Sequence, residues 1–206
     1  MINITNEDNM KLMARFDDNY FDLAIVDPPY GVLNKTSRGG DKKFNKVEYS
    51  KWDIKPKKEY FDELFRVSKN QIIWGGNYFG EIWSRNKYNK CFIIWDKNQP
   101  ESLNNFSMAE LAWTSFDKPS KIFHFSVRKN RNKTHPTQKP VELYEWILKL
   151  FANKGDKILD THLGSGTLAV ACYKMGFDLT ACEISKEYYI KAVEKLENFK
   201  SENLFL

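Results

Sequence analysis

Short apolar runs alternate along the chain with stretches whose apolar residues recur every three or four positions. The first runs, "INIT" and residues 22–27, flank a helical pattern over 8–16. "KKEYFDELFRVSK" places Tyr60, Phe61, Leu64 and Phe65 on one helical face, and the β-branched and aromatic runs "QIIWGG" and "CFIIWD" follow as strands. "AELAWTSF" and "KIFHFSV" are expected to pair with each other as an antiparallel edge. Pro140 can open a helix, because its missing N–H is not needed there, and Leu143, Tyr144, Ile147, Leu148 and Phe151 give that helix an apolar face before Gly155 closes it. "KILD", the helix "GTLAVACYKMG", the strand "DLTACE" and a last helix from about Ser185 complete the pattern. Strands alternating with helices predict an α/β fold, a mostly parallel sheet covered on both faces.

One segment breaks the alternation. Residues 31–51 are polar and rich in Gly and Lys, without periodicity, and structureless loops of this length inside compact domains are usually functional lids or disordered. With 206 residues, the chain suits one domain over 1–206, carrying this loop and a second irregular region at 97–134. The tryptophans at 52, 74, 83, 95, 113 and 146 lie in or beside apolar segments and are expected to pack in the core.

Charge adds a hint about partners. The net charge of +5 is mild, but Lys and Arg cluster at 35–58 and 118–139, where acids are few. Lys35, Arg38, Lys42, Lys43, Lys118, Lys121, Arg128, Lys129, Arg131 and Lys133 are therefore candidate phosphate contacts, against the plainer reading of solvated faces. Cys91, Cys172 and Cys182 are scattered in apolar runs without metal-ligand spacing and read as reduced core thiols of a cytosolic protein. No apolar run approaches the roughly 20 residues that span a bilayer, and the start lacks a secretory pattern, so a cytoplasmic location is expected.

Two motifs carry chemistry. In "KILDTHLGSGTLAVACYKMGFDLTACE", Gly164 and Gly166 with Ala169 fit a strand, glycine turn and helix, and Glu183 ends the next strand about twenty residues on. The glycines allow close backbone approach to a ligand and the carboxylate can accept both hydroxyls of a ribose; the alternative is an ordinary tight turn. In "LAIVDPPYGV" an apolar strand ends in Asp27, and Pro28 and Pro29 stop it before Tyr30, which taken alone could be only a strand-terminating turn. A dinucleotide oxidoreductase would carry its glycine turn near the start, whereas here the rest of the sheet must come from the amino-terminal side.

"DPPYG" at 27–31, "HPTQKP" at 135–140, and "LDTHLGSGT" with "CEISKEYY" in the cofactor region together resemble the β-group of amino-methylating DNA methyltransferases, in that group's circularly rearranged order. "IIWGGNYF" and "ELAWTSF" also look like small phage and prophage members. The resemblance implies a single-domain Rossmann-like fold with a seven-stranded, mostly parallel sheet containing one antiparallel strand. It implies S-adenosyl-L-methionine as cofactor, double-stranded DNA as substrate, and methyl transfer to the N6 amine of adenine after base flipping. Alternatives are N4-cytosine transfer on the same scaffold, an RNA or protein amine methyltransferase, and an inactive cofactor-binding partner subunit. A homodimer and a cognate restriction nuclease are further possible partners; no metal is called for.

Residue by residue, the resemblance assigns Asp27 and the Pro28 carbonyl to the two N–H groups of the target amine, with Pro29 shaping the turn and Tyr30 stacking on the flipped base. Asp27, Asp160, Gly164, Ser165, Gly166 and Thr167 would line the cofactor and Glu183 its ribose. His135, Thr137 and Lys139 would meet the carboxylate end of its methionine moiety, unless "THPTQKP" is merely a turn into a helix. Asp8 matches an acidic position near the cofactor's adenine, but "NEDNMKLM" equally suits a helix N-cap. The family's Phe after the turn's first Pro is His162 here.

Overall fold

A computed structural model describes residues 1–32, 53–87, 89–99, 107–126 and 138–202. In chain order the elements are β1 (Ile2–Thr5), α1 (Asn9–Met13), β2 (Phe21–Val26), α2 (Lys58–Val67), β3 (Ser68–Trp74), α3 (Gly80–Trp83), β4 (Phe92–Asp96), β5 (Ala109–Thr114), β6 (Lys121–His124), α4 (Val141–Phe151), β7 (Lys157–Asp160), α5 (Thr167–Met175), β8 (Asp178–Cys182) and α6 (Lys186–Glu202). The strands form one sheet in the order β1-β8-β7-β2-β3-β5-β4-β6. Neighbours pair in parallel except at β5, which is antiparallel to both β3 and β4.

The strands are apolar on both faces because both are covered. In β2, Leu23 and Ile25 join the core beneath α4, α5 and α6, while Ala24 and Val26 join the core beneath α1 and α2. Period-two alternation with two buried faces yields the unbroken apolar run that the sequence shows. Trp74, Trp95 and Trp113 are fully buried, and Cys91, Cys172 and Cys182 are buried free thiols. Trp83 is an exception to the expected packing and remains partly exposed, and Trp52 lies outside the described residues.

Two expectations need correction. Among the described residues the sheet has eight strands rather than seven, with β1 and β6 at its edges. Nor do β5 and β6 pair: β4 lies between them, paired antiparallel to β5 and parallel to β6. The reason is burial. β4 alternates buried Ile93 and Trp95 with half-buried neighbours and needs a partner on each side, whereas the largely exposed β6 suits an edge. Because β5 runs opposite to the rest, its first residues, not its last, emerge at the carboxyl edge of the sheet.

Candidate active site

Asp27 begins where β2 ends, at the carboxyl edge, the side on which open α/β sheets bind ligands. Its carboxylate is held from two directions. The Tyr30 hydroxyl donates to Asp27 Oδ1 at 2.6 Å, and Lys139 Nζ donates to Oδ2 at 2.5 Å. Tyr30 is fixed in turn by a stack on Tyr78, with ring centroids 5.1 Å apart and planes 18° apart. It also lies against Gly75, where a Cβ would stand 2.2 Å from the ring. The turn continues through Gly31, at φ +72°, whose N–H donates to Asp53 at 2.9 Å.

Lys139 is the hub of a larger network. Its side chain is 1% exposed, lies over the Trp74 ring at 4.8 Å, and pairs with Glu110 Oε2 at 3.1 Å as well as with Asp27. Glu110 Oε1 receives Lys97 at 2.8 Å. Burial opposes the lysine's charge, but the two carboxylates keep its pKa above the usual value. Burial would likewise raise Glu110, but the ammoniums of Lys139 and Lys97 hold its carboxyl at about 2. Two carboxylates and two ammoniums thus balance beside one cavity.

The glycine turn lies next to this network. Gly166, at φ +73°, caps α5, and a Cβ there would stand 2.9 to 3.1 Å from Ala192, so only glycine fits. Glu183 ends β8 and ties the turn down: Gly164 N–H donates to Oε2 at 2.9 Å and Ser185 N–H to Oε1 at 2.8 Å. Its pKa is raised by burial. Asp160 accepts from His162 N–H at 3.0 Å, and burial pushes its carboxyl up to about 8. His162 contacts the Asn9 amide and packs edge-on against Tyr60, and burial pushes it down to about 4, so it is neutral at pH 7.

Two cavities open along this edge. One, of about 290 Å³, is lined by Asp27, Tyr30, Glu110 and Lys139 on one side and by Gly164, Ser165, Thr167 and Glu183 on the other. The second, of about 330 Å³, is lined by Glu7, Asn9, Tyr60 and Thr161 among others. Pro29, His162, Glu183 and Ile184 border both. The Glu183 carboxylate thus stands at the junction of the two cavities, the second of which also has Met10, Ile54, Tyr60 and His162 in its wall.

A family model described as DNA methylase, that of the N6/N4 amino-methyltransferases, matches residues 73–194, more than half of the chain. The chain belongs to this DNA methylase family. Relatives include the Type II methyltransferase M.HpaI of Haemophilus parainfluenzae, 28% identical with 92% of this chain and 72% of the relative covered. The Type II methyltransferase M2.DpnII of Streptococcus pneumoniae is 24% identical, with 94% and 89% covered. The fold is that of M1.HpyAVI, solved in complex with S-adenosylmethionine (TM-score 0.65, 22% identity, 95% of this chain and 99% of that one). It is also that of the PvuII cytosine-N4-specific DNA methyltransferase (TM-score 0.63, 12% identity, 98% and 92%). The methylase family uses S-adenosylmethionine as methyl donor.

In this methylase, Asp27, Pro28, Pro29, Tyr30, Lys139, Gly164, Ser165, Thr167 and Glu183 line one cavity, whereas Gly166, which caps α5, and Asp160, the last residue of β7, are not among its lining residues. His135 and Thr137 lie outside the described residues, as do Lys35, Arg38, Lys42, Lys43, Arg128, Lys129, Arg131 and Lys133. Several placements differ from expectation. Asp8 caps α1, accepting from Met10 and Lys11 N–H, and its neighbours Glu7 and Asn9 line the cavity instead. Lys139, expected beside the cofactor's carboxylate, is engaged by Asp27 and Glu110, because a buried ammonium needs nearby anions. Lys118 donates to the Leu150 carbonyl near the end of α4, and Lys121 opens β6; both sit at the amino edge of the sheet, opposite the site. Glu110 was not singled out in the sequence, although a lone acid in the apolar run "AELAWTSF" was a usable signal.

Proposed function

We propose that the chain is a site-specific DNA methyltransferase that modifies the N6 amine of adenine flipped out of double-stranded DNA. The observation that carries this reading is Asp27: a strand-end carboxylate oriented by Tyr30 and Lys139, in one cavity with Gly164 and Glu183. An exocyclic amine is a poor nucleophile because its lone pair is delocalised into the ring. Asp27 accepts one N–H and the Pro28 carbonyl the other, which localises the lone pair and stabilises the positive charge that develops on nitrogen. Tyr30, backed by Tyr78, supplies an aromatic wall for the base, and stacking offsets part of the few kcal/mol that flipping costs.

The residues present fit S-adenosylmethionine. Glu183 at the junction of the cavities suits the ribose hydroxyls, Ser165, Thr167 and the open amides at the start of α5 suit a carboxylate, and the second cavity, with neutral His162 and Tyr60, suits an adenine. Bound there, the cofactor supplies an electrophilic methyl group on a sulfonium. Asp27 and the α5 turn border the same space, so orientation and charge placement carry most of the catalysis.

Adenine is favoured by the aspartate that begins "DPPY", where a serine would favour cytosine. N4-cytosine transfer is the second reading, because the PvuII enzyme, cytosine-specific by name, has a fold about as similar as that of M1.HpyAVI. Incubation with methyl-labelled cofactor and unmethylated genomic DNA, followed by nucleoside analysis, tests both. N6-methyladenine is expected; label only in N4-methylcytosine reverses the preference, and cofactor binding without transfer supports an inactive partner subunit.

A further inference from the structure

We propose that Glu110 is a positioning residue for methyl transfer, one that takes a share of the charge of the Lys139 ammonium, which also contacts Asp27, and so keeps Asp27 a strong acceptor for the target amine. The inference rests on the reading of Asp27 as that acceptor. The antiparallel course of β5 makes it possible. Trp74 pairs with Ala112, so the strand's earlier residues, Ala109 and Glu110, project past the end of β3 to the edge where Asp27 stands.

Lys139 is boxed in by three groups: Asp27 Oδ2 at 2.5 Å, Glu110 Oε2 at 3.1 Å and the Trp74 ring at 4.8 Å. Its side chain is 1% exposed, so water does little to disperse its charge. With Glu110 neutral, that charge would fall on Asp27 alone. A carboxylate facing a full buried cation accepts weakly from a neutral amine, and the cluster would carry net positive charge where more positive charge develops. Ionised Glu110 prevents both effects. Lys97, only 14% exposed and over the Trp95 ring, holds the other oxygen of Glu110 and keeps this carboxylate aimed at Lys139. Glu110 acts through Lys139 and Asp27, not by touching the amine.

The test is single-turnover methyl transfer at saturating cofactor and DNA, with the cofactor dissociation constant measured by calorimetry on the same preparations. Glu110→Gln preserves size and removes charge; it is expected to slow transfer by about tenfold or more, the equivalent of roughly 1.4 kcal/mol of barrier. The cofactor dissociation constant is expected to stay within about threefold, and Glu110→Asp to recover part of the rate. In a Lys139→Met background, Glu110→Gln is expected to slow transfer no further, because the group it acts through is gone. This double variant removes the pair as a unit and serves if Glu110→Gln alone does not fold. Wild-type rates in Glu110→Gln, or equal slowing in both backgrounds, overturn the inference and leave the Asp27 reading intact. A wild type that binds cofactor but methylates no DNA overturns that reading, and this inference with it.

Discussion

Lys139 and Asp27, 112 positions apart in the chain, meet at 2.5 Å, joining "HPTQKP" to "DPPY" through one part-buried ion pair. The contact gives the carboxylate proposed to accept the target amine a fixed orientation before any substrate arrives. Tyr30 holds its second oxygen, so Asp27 is anchored at both ends. Preorganisation of this kind avoids reorganisation at the moment charge develops on the amine.

Gly75 supports that arrangement from behind. It has φ +67°, and a Cβ there would run into Tyr30. Gly75→Ala is expected to cost about 1–2 kcal/mol for the left-handed backbone alone and to displace the Tyr30 ring. The measurement is urea unfolding beside methyl-transfer rate. A loss of rate larger than the loss of folded fraction is predicted, because the displaced hydroxyl no longer orients Asp27.

Asp160 predicts a pH effect on stability. Its carboxyl titrates near 8 in the fold and near 4 in the unfolded chain, so between these values the folded state holds a proton that the unfolded state has released. Stability therefore falls as pH rises through this window, by up to roughly 1.4 kcal/mol per pH unit from this group. Asp160→Asn removes the dependence. Urea titrations at pH 5.5 and 7.5 should show the variant gaining on the wild type at the higher pH; an unchanged difference between them would mean that Asp160 is charged in the fold. The Glu110 carboxyl, held at about 2, contributes its stability above about pH 4.5 and does not confuse the comparison.

Much of the site was legible because its residues sit at strand ends, which apolar runs mark well. Asp27 and Glu183 each terminate such a run, and Gly166 lies where helix pattern begins. Pairing between strands was less legible. β5 and β6 read as a hairpin since they are consecutive, but which strand lies between them depends on burial of β4, a tertiary property. Lys139 is legible as a site residue, but its ion-pair partners Asp27 and Glu110 are not, for a sequence shows a cation without the anions that fold around it. Asp8 shows the reverse case: capping of α1 is a local matter, and a local signal predicted it. Lys118 and Lys121 were grouped by charge alone, and only the direction of β6 shows that they face away from the site.

Acceptance of the target amine by Asp27 is the contact on which the proposed chemistry depends. Its most direct test is Asp27→Ala in single-turnover methyl transfer, beside calorimetric cofactor binding. Lys139 keeps Glu110 as a partner in this variant, so the fold and the cofactor site are expected to survive. A fall in transfer rate of about 100-fold or more, with cofactor still bound, is the predicted result. Transfer within about threefold of the wild type would contradict the account, since so small a change lies well below what loss of such an acceptor costs.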